Sequence, residues 1–373
     1  MKDLKHLYYF EKLLEDANNE LVRKAREDGL KCVGSTCYQI PEVLCNLKGC
    51  FSARLRAPRT GSMEMGTYYM TSFLCEYSRA LLERAIEGGY QFLDCLLTPD
   101  GCTMINRCVE NMELLKTIPN EGFFYQYLEV PMKDDDNGLD LYVRECRSKI
   151  LDPLHEHFGI DTSDEAIKEA VEEHNKLCRL ITELGEFRKE DNPRITGYEF
   201  HIITMCTYVC PHYLLLDKLE ETLEEVKNRV PDEKKKFRAR VVADRYCFGS
   251  LPGRQEIVLN DKEDVLTQIC AQYMHSCMCP RHMNLPKFKR RKEYVNALAK
   301  EYKADGIIYE QMKFCDPWAY ERMTGTHMLR DDYDYPVLSI DRPYAVGTSG
   351  QIRTRVQAFV ESIEIKKIQG GNK

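Results

Sequence analysis

No stretch of this chain is apolar for long enough to cross a membrane, and the opening Met1-Lys-Asp-Leu-Lys5 lacks the apolar core of a secretory signal. Nor is there an excess of positive charge. Lys and Arg number 53 against 60 Asp and Glu, and the net charge of -7 argues against a surface for nucleic acid. No Gly-rich loop of the Walker type occurs, so the chain is not expected to hydrolyse ATP itself. No repeat of solenoid period is visible. These absences leave a globular protein expected in the cytoplasm. Its 373 residues, 43% hydrophobic and 30% charged, suffice for two domains with a core in each.

What the chain does carry is cysteine, 17 in all. Without an export signal disulfides are not expected, and metal or redox use is the better reading. Many of these thiols should still be small buried hydrophobes, among them Cys32, Cys45, Cys146, Cys178, Cys206 and Cys210.

Three others stand in a different setting. Ile307 to Met312 reads as a buried strand ending in Lys313-Phe-Cys315, and Asp316-Pro317 opens a helix behind it. Cys315 thus lies at the carboxyl end of a strand, where ligands gather in open α/β sheets, with helix N–H groups able to face an anion. The same grammar places Cys102 after Tyr90-Gln-Phe-Leu-Asp-Cys-Leu-Leu97 and Thr98-Pro-Asp-Gly101. Cys75, in Ser72-Phe-Leu-Cys-Glu-Tyr77, stands at a further helix beginning. Three thiolates from three turns could enclose one metal cluster.

Around these turns, strands at 31–34, 51–55, near Leu93 and at 123–130 alternate with helical stretches, which predicts a parallel sheet with helices on both faces. Residues 1–28 read as an N-terminal amphipathic helix over 4–27, residues 29–138 as a first α/β domain and residues 139–232 as a helical connector. The connector has helices near 140–157, 163–189, 194–208 and 212–228. Residues 233–373 form a second α/β domain, with helices at 265–273, 294–302 and 350–365 and strands at 241–244, 307–312 and 335–340. The fold class is therefore α/β, with two Rossmann-like (flavodoxin-like) parallel sheets.

The cysteine trio resembles the 2-hydroxyacyl-CoA dehydratase and benzoyl-CoA reductase family, in the type of its D-component. Gly34-Ser-Thr-Cys-Tyr-Gln-Ile-Pro-Glu42, Val241-Val-Ala-Asp-Arg-Tyr-Cys-Phe-Gly249, Met312-Lys-Phe-Cys-Asp-Pro317 and Ser349-Gly-Gln-Ile-Arg-Thr-Arg-Val-Gln-Ala-Phe359 extend the likeness over nearly the whole chain. The resemblance implies a [4Fe-4S] cluster held by Cys75, Cys102 and Cys315, with one iron left free of protein thiolate. It also implies a coenzyme A thioester substrate and a dimer with a second dehydratase subunit or with itself. An ATP-dependent iron–sulfur activator protein would supply one electron for a ketyl-radical elimination of water. The chain departs from the family before residue 241, where an extra strand and helix are normal, so the second domain is expected to be trimmed.

A second set, Cys247, Cys277 and Cys279, resembles the branch of the family in which two cubanes fuse, so a double-cubane [8Fe-9S] cluster and a reductase are the alternative; His282 also permits a zinc site. A non-catalytic companion subunit is a further alternative. Lys287-Phe-Lys-Arg-Arg-Lys292 could meet the phosphates of coenzyme A, though a solvated helix start is the commoner role of such a run. Arg353 and Arg355 are expected to brace the cluster domain, and Arg56 to Gly66 reads as a surface loop that could face substrate. Ser35, Thr36 and Glu64 are loop candidates for a base, and no catalytic residue is named.

Overall fold

The computed structural model describes residues 2–58, 60–231, 239–242, 254–281, 284–344 and 349–370, so Cys247 and His282 lie outside the described residues. The N-terminal stretch is two helices, α1 (Leu7–Leu13) and α2 (Glu20–Glu27), where the periodicity predicts one over 4–27. Asn19 makes the break: its side chain accepts from the Leu21 and Val22 N–H groups and donates to the Val209 carbonyl at 3.2 Å. An amide that caps a helix so well ends the run before it.

The first sheet contains β1 (Lys31–Ser35), β2 (Cys50–Arg54), β3 (Cys95–Pro99) and β4 (Phe124–Leu128), all parallel, in the order β2-β1-β3-β4. Between them run α3 (Glu64–Met70), α4 (Glu76–Ile86) and α5 (Thr103–Leu114). β2 and β3 are buried at every residue, as expected of strands covered on both faces. Strand order reverses between β1 and β3. A crevice therefore opens beyond their carboxyl ends, where residues 36–40 and 100–102 leave the sheet.

The connector is helical, as its periodicity predicts. α6 (Asp136–Cys146) passes through one π turn at Arg147–Leu151 into α7 (Asp152–Phe158), followed by α8 (Asp164–Glu186), α9 (Gly197–Val209) and α10 (His212–Asn228). Ser163 caps α8, and Thr196 with Glu199 forms a capping box on α9.

The second sheet has β5 (Val241–Val242), β6 (Gly306–Met312) and β7 (Val337–Arg342), parallel in that order among the described residues. Its helices are α12 (Leu285–Glu301), α13 (Asp316–Asp331) and α14 (Ser349–Gly370), whereas α11 (Val265–Ser276), expected in the second domain, packs instead against α6 and α8 in the apolar core that holds β1 and β3. α12 begins well before the expected residue 294, because Asn284 caps it through the Lys287 N–H and proline follows in the first turn.

That earlier start changes the reading of the basic run. Lys287, Arg291 and Lys292 are only 5%, 2% and 1% exposed, so they are neither a solvated face nor a phosphate site. Lys287 pairs with Asp134 at 2.7 Å, and Arg291 and Lys292 both hold Glu321 on α13, at 2.5 and 2.8 Å. Gly325 leaves room for this group: a Cβ there would stand 2.6 Å from the Lys292 Nζ.

The halves are tied at two further places. Glu42, after β1, is buried against Arg254 and His212; burial alone would raise its carboxyl, but the Arg254 guanidinium and His212 hold it well below the usual carboxylate range. Tyr344, after β7, donates its N–H to Glu76 at 2.7 Å and accepts the Ala57 N–H on its hydroxyl at 3.1 Å. Arg355 on α14 donates to the Ser339 carbonyl at 2.7 Å and so braces β7.

Candidate metal centre

Cys75, Cys102 and Cys315 are the N-cap residues of α4, α5 and α13. The turns that present them differ. Before Cys102, the Gly101 N–H closes on the Pro99 carbonyl at 2.7 Å and the Asp100 N–H on Leu128 at 2.6 Å. Before Cys315, the Cys315 N–H closes a tight turn onto the Met312 carbonyl at 3.0 Å, with Phe314 at φ +64°. A left-handed residue other than glycine costs about 1–2 kcal/mol, so the Cys315 turn is held under strain. Cys75 is anchored from the other half, because Glu76 next to it accepts the Tyr344 N–H.

Each sulfur is buried or half-buried and faces the first turn of its own helix. Burial raises the Cys75 thiol, while the N–H groups of Ser78 and Tyr77 and the charge of Arg79 oppose it. Cys102 is pushed up to about 11 by burial and by Cys75 and Cys37, against the N–H groups of Ile105 and Met104. Cys315 is pushed up to about 12 by burial and by Cys75 and Cys102, against the Trp318 N–H. Cys315 thus feels the two thiols of the other half, which brings together residues distant in sequence. Thiols so raised stay protonated until a cation takes the proton's place, and the helix N–H groups then stabilise the thiolates.

Among the described residues no group of three or more His, Cys, Asp or Glu side chains could hold one metal ion. A four-iron cluster binds each cysteine to a different iron, so its sulfurs stand farther apart. Three thiols at three helix starts, drawn from both halves, fit that need.

Of the second set, Cys277 caps the C-terminus of α11 and is buried, and Cys279 is half-buried. Burial raises the Cys277 thiol, as does Cys37, while the Cys279 N–H, Lys287 and the Gln39 amide oppose it. Cys37 lies near Cys277 through Gln39, whose amide meets both thiols. It follows β1 as Cys102 follows β3. That strand-then-cysteine signal stood in Gly34-Ser-Thr-Cys37 and could have nominated it.

The base candidates are placed as follows. Ser35 accepts from Arg54 Nε at 3.1 Å and Thr36 shares a 2.9 Å hydrogen bond with Thr98, both buried; Glu64 is exposed at the start of α3. Cys32, Cys45, Cys146, Cys178, Cys206 and Cys210 are all buried. The loop from Arg56 is bolted at its start, Arg56 donating to Leu14 and Ala57 to Tyr344.

Comparison with known proteins gives the family of the chain. The family model of the 2-hydroxyglutaryl-CoA dehydratase D-component matches residues 37–240 and 233–363. The β subunit of (R)-phenyllactyl-CoA dehydratase from Clostridium sporogenes is 21% identical over 95% of this chain and 97% of its own. The β subunit of (R)-2-hydroxyglutaryl-CoA dehydratase from Acidaminococcus fermentans is 23% identical over 92% and 95%. A benzoyl-CoA reductase subunit from Thauera aromatica is 19% identical over 80% and 82%.

Proposed function

The chain belongs to the family of the 2-hydroxyglutaryl-CoA dehydratase D-component, and on that premise we propose that it is the iron–sulfur subunit of a 2-hydroxyacyl-CoA dehydratase. The observation that carries the reading is the meeting of Cys75, Cys102 and Cys315 at three helix N-termini from both halves of the molecule. These three residues would hold a [4Fe-4S] cluster, which supplies a low-potential electron path and one iron free of protein thiolate. The chain's own part is to orient the cluster by three fixed turns, to neutralise thiolate charge with helix N–H groups and to keep water from the buried sulfurs. The substrate class is a 2-hydroxyacyl coenzyme A thioester, dehydrated through a ketyl radical after one electron arrives from an ATP-using iron–sulfur activator protein.

A partner subunit is part of this reading. Two relatives are named β subunits, and large apolar side chains stand exposed beside the cysteine helices: Tyr68 and Phe73 before Cys75, and Tyr320 on α13. The second reading, a reductase with a fused [8Fe-9S] cluster, is favoured by one observation, the contact of Gln39 with both the Cys37 and Cys277 thiols.

Iron content separates the two. Anaerobically purified chain should hold about four irons, where a double cubane would hold about eight. Cys315→Ala should lose most of the iron and the broad visible absorbance, and unchanged iron in that variant would refute the assignment. The loaded chain with its partner should stay inactive until activator, ATP and a reductant are supplied together.

A further inference from the structure

Where residues 36–40 leave β1, they lie against the end of α11, and a chain of contacts runs from Tyr38 through Gln39 to Arg281. Tyr38 stacks on Tyr273 at 5.5 Å and shares a 2.6 Å hydrogen bond with Ser276. Gln39 is buried, and its amide nitrogen donates to the Cys277 sulfur at 3.8 Å. Its amide oxygen accepts from Arg281 Nη1 at 3.3 Å and from the Cys37 thiol at 4.0 Å. Arg281, itself buried, donates from Nη2 to the Val130 carbonyl beyond β4 at 2.7 Å. The Tyr142 hydroxyl fixes the Gln39 backbone carbonyl at 2.6 Å.

The pair presses directly on the turn that carries Cys102. A Cβ on Gly101 would stand 2.4 Å from Gln39 Oε1 and 2.9 Å from Arg281 Nη1, so only glycine lets amide and guanidinium lie against this backbone. One amide therefore touches two thiols, one after β1 and one at the end of α11, and its guanidinium partner packs on the residue before a third. Buried groups with these hydrogen bonds have little freedom to move separately.

We propose that Gln39 and Arg281 form a bracket between the turn after β1 and the segment after α11 that positions Cys102, with Gly101 as the space it requires. Both act as positioning residues. The claim that they thereby set the cluster's environment rests on the cluster reading given above, whereas the claim about the thiols does not.

The test uses the full chain, purified anaerobically, stripped of iron with a chelator and kept reduced. Alkylation by N-ethylmaleimide is followed cysteine by cysteine with peptide mass spectrometry in Arg281→Ala, Gln39→Met, Gly101→Ala and Arg281→Lys. Cys102 and Cys277 should react about fivefold faster or more in the first three, the change expected when one or two buried hydrogen bonds are lost. Cys108 and Cys178 should keep their rates, and Arg281→Lys, which keeps the charge and can still reach one acceptor, should recover part of the protection. Unchanged rates at Cys102 and Cys277, or equal acceleration at all four cysteines, would overturn the bracket. Reconstituted with iron and sulfide, Arg281→Ala should bind as much iron as the unmodified chain yet give an altered electron paramagnetic resonance line shape on reduction; an identical spectrum would overturn its effect on the cluster. An unmodified chain that takes up no iron would instead sink the cluster reading and leave the alkylation result standing.

Discussion

β2 and β3 are buried along their whole length between two broad apolar clusters, which draw on β1 as well. Around β6 the apolar cluster among the described residues is Ala299, Ile307, Tyr309 and Leu329, and beside it sits the ion group of Glu321, Arg291 and Lys292. Apolar burial is non-directional and forgives small shifts, whereas a buried carboxylate between two cations holds only if every partner is present. The half that presents Cys315 therefore keeps its shape by pairing, and the half that presents Cys75 and Cys102 keeps it mainly by packing. Lys292 shows the cost of that choice: burial lowers its ammonium pKa, against the pull of Glu321.

The contrast can be broken most severely at Glu321. Glu321→Ala strands two buried cations and should cost about 3–5 kcal/mol. Trp318, the sole tryptophan, has its ring 6.2 Å from that of Tyr309, so its fluorescence should report loss of the second half at lower urea than circular dichroism reports loss of the helices. Coincident transitions in the variant would refute the division of labour. A smaller effect sharpens it: Leu81→Ala in the first half should cost about 3 kcal/mol, and Leu329→Ala about 2, because a sparse cluster can relax around the lost atoms. Denaturant titration of the two variants measures the order directly.

The smallest effect is a pH dependence. The folded Glu42 carboxyl lies below its ordinary 4.5, so its stabilising contribution is complete above that pH and is lost as pH falls. Between about pH 4.5 and 3.5 the unmodified chain should lose roughly 1 kcal/mol more than Glu42→Gln does. Parallel acid titrations of the two would show that Glu42 does not carry the term.

The helix starts at Cys75, Cys102 and Cys315 were legible in the sequence because turn, cap and helix are local signals, and each can be read within about a dozen residues. The bracket was not. Gln39 and Arg281 meet only after α11 packs into the core around β1 and β3, and neither residue type announces a partner more than 200 positions away. The basic run misled for the same reason: nothing near Lys287–Lys292 shows that Glu321 will neutralise two of its members. In the N-terminal stretch the signal was present but outweighed, since Asn19-Glu20 is a cap and the apolar stripe continues across it.

The joining of three helix starts from both halves also bears on how the protein is made. Cys75 and Cys102 leave the ribosome about 200 residues ahead of Cys315, an interval on the order of 10–40 s at ordinary rates of synthesis. Until then the first half carries two thiols and lacks the third. A thiol that stays protonated over that interval neither captures stray metal nor attacks other sulfurs as a thiolate would. On the proposed reading, a chain cut short before Cys315 would offer a cluster only two of its three ligands, which would make metal retention a check on the completeness of translation.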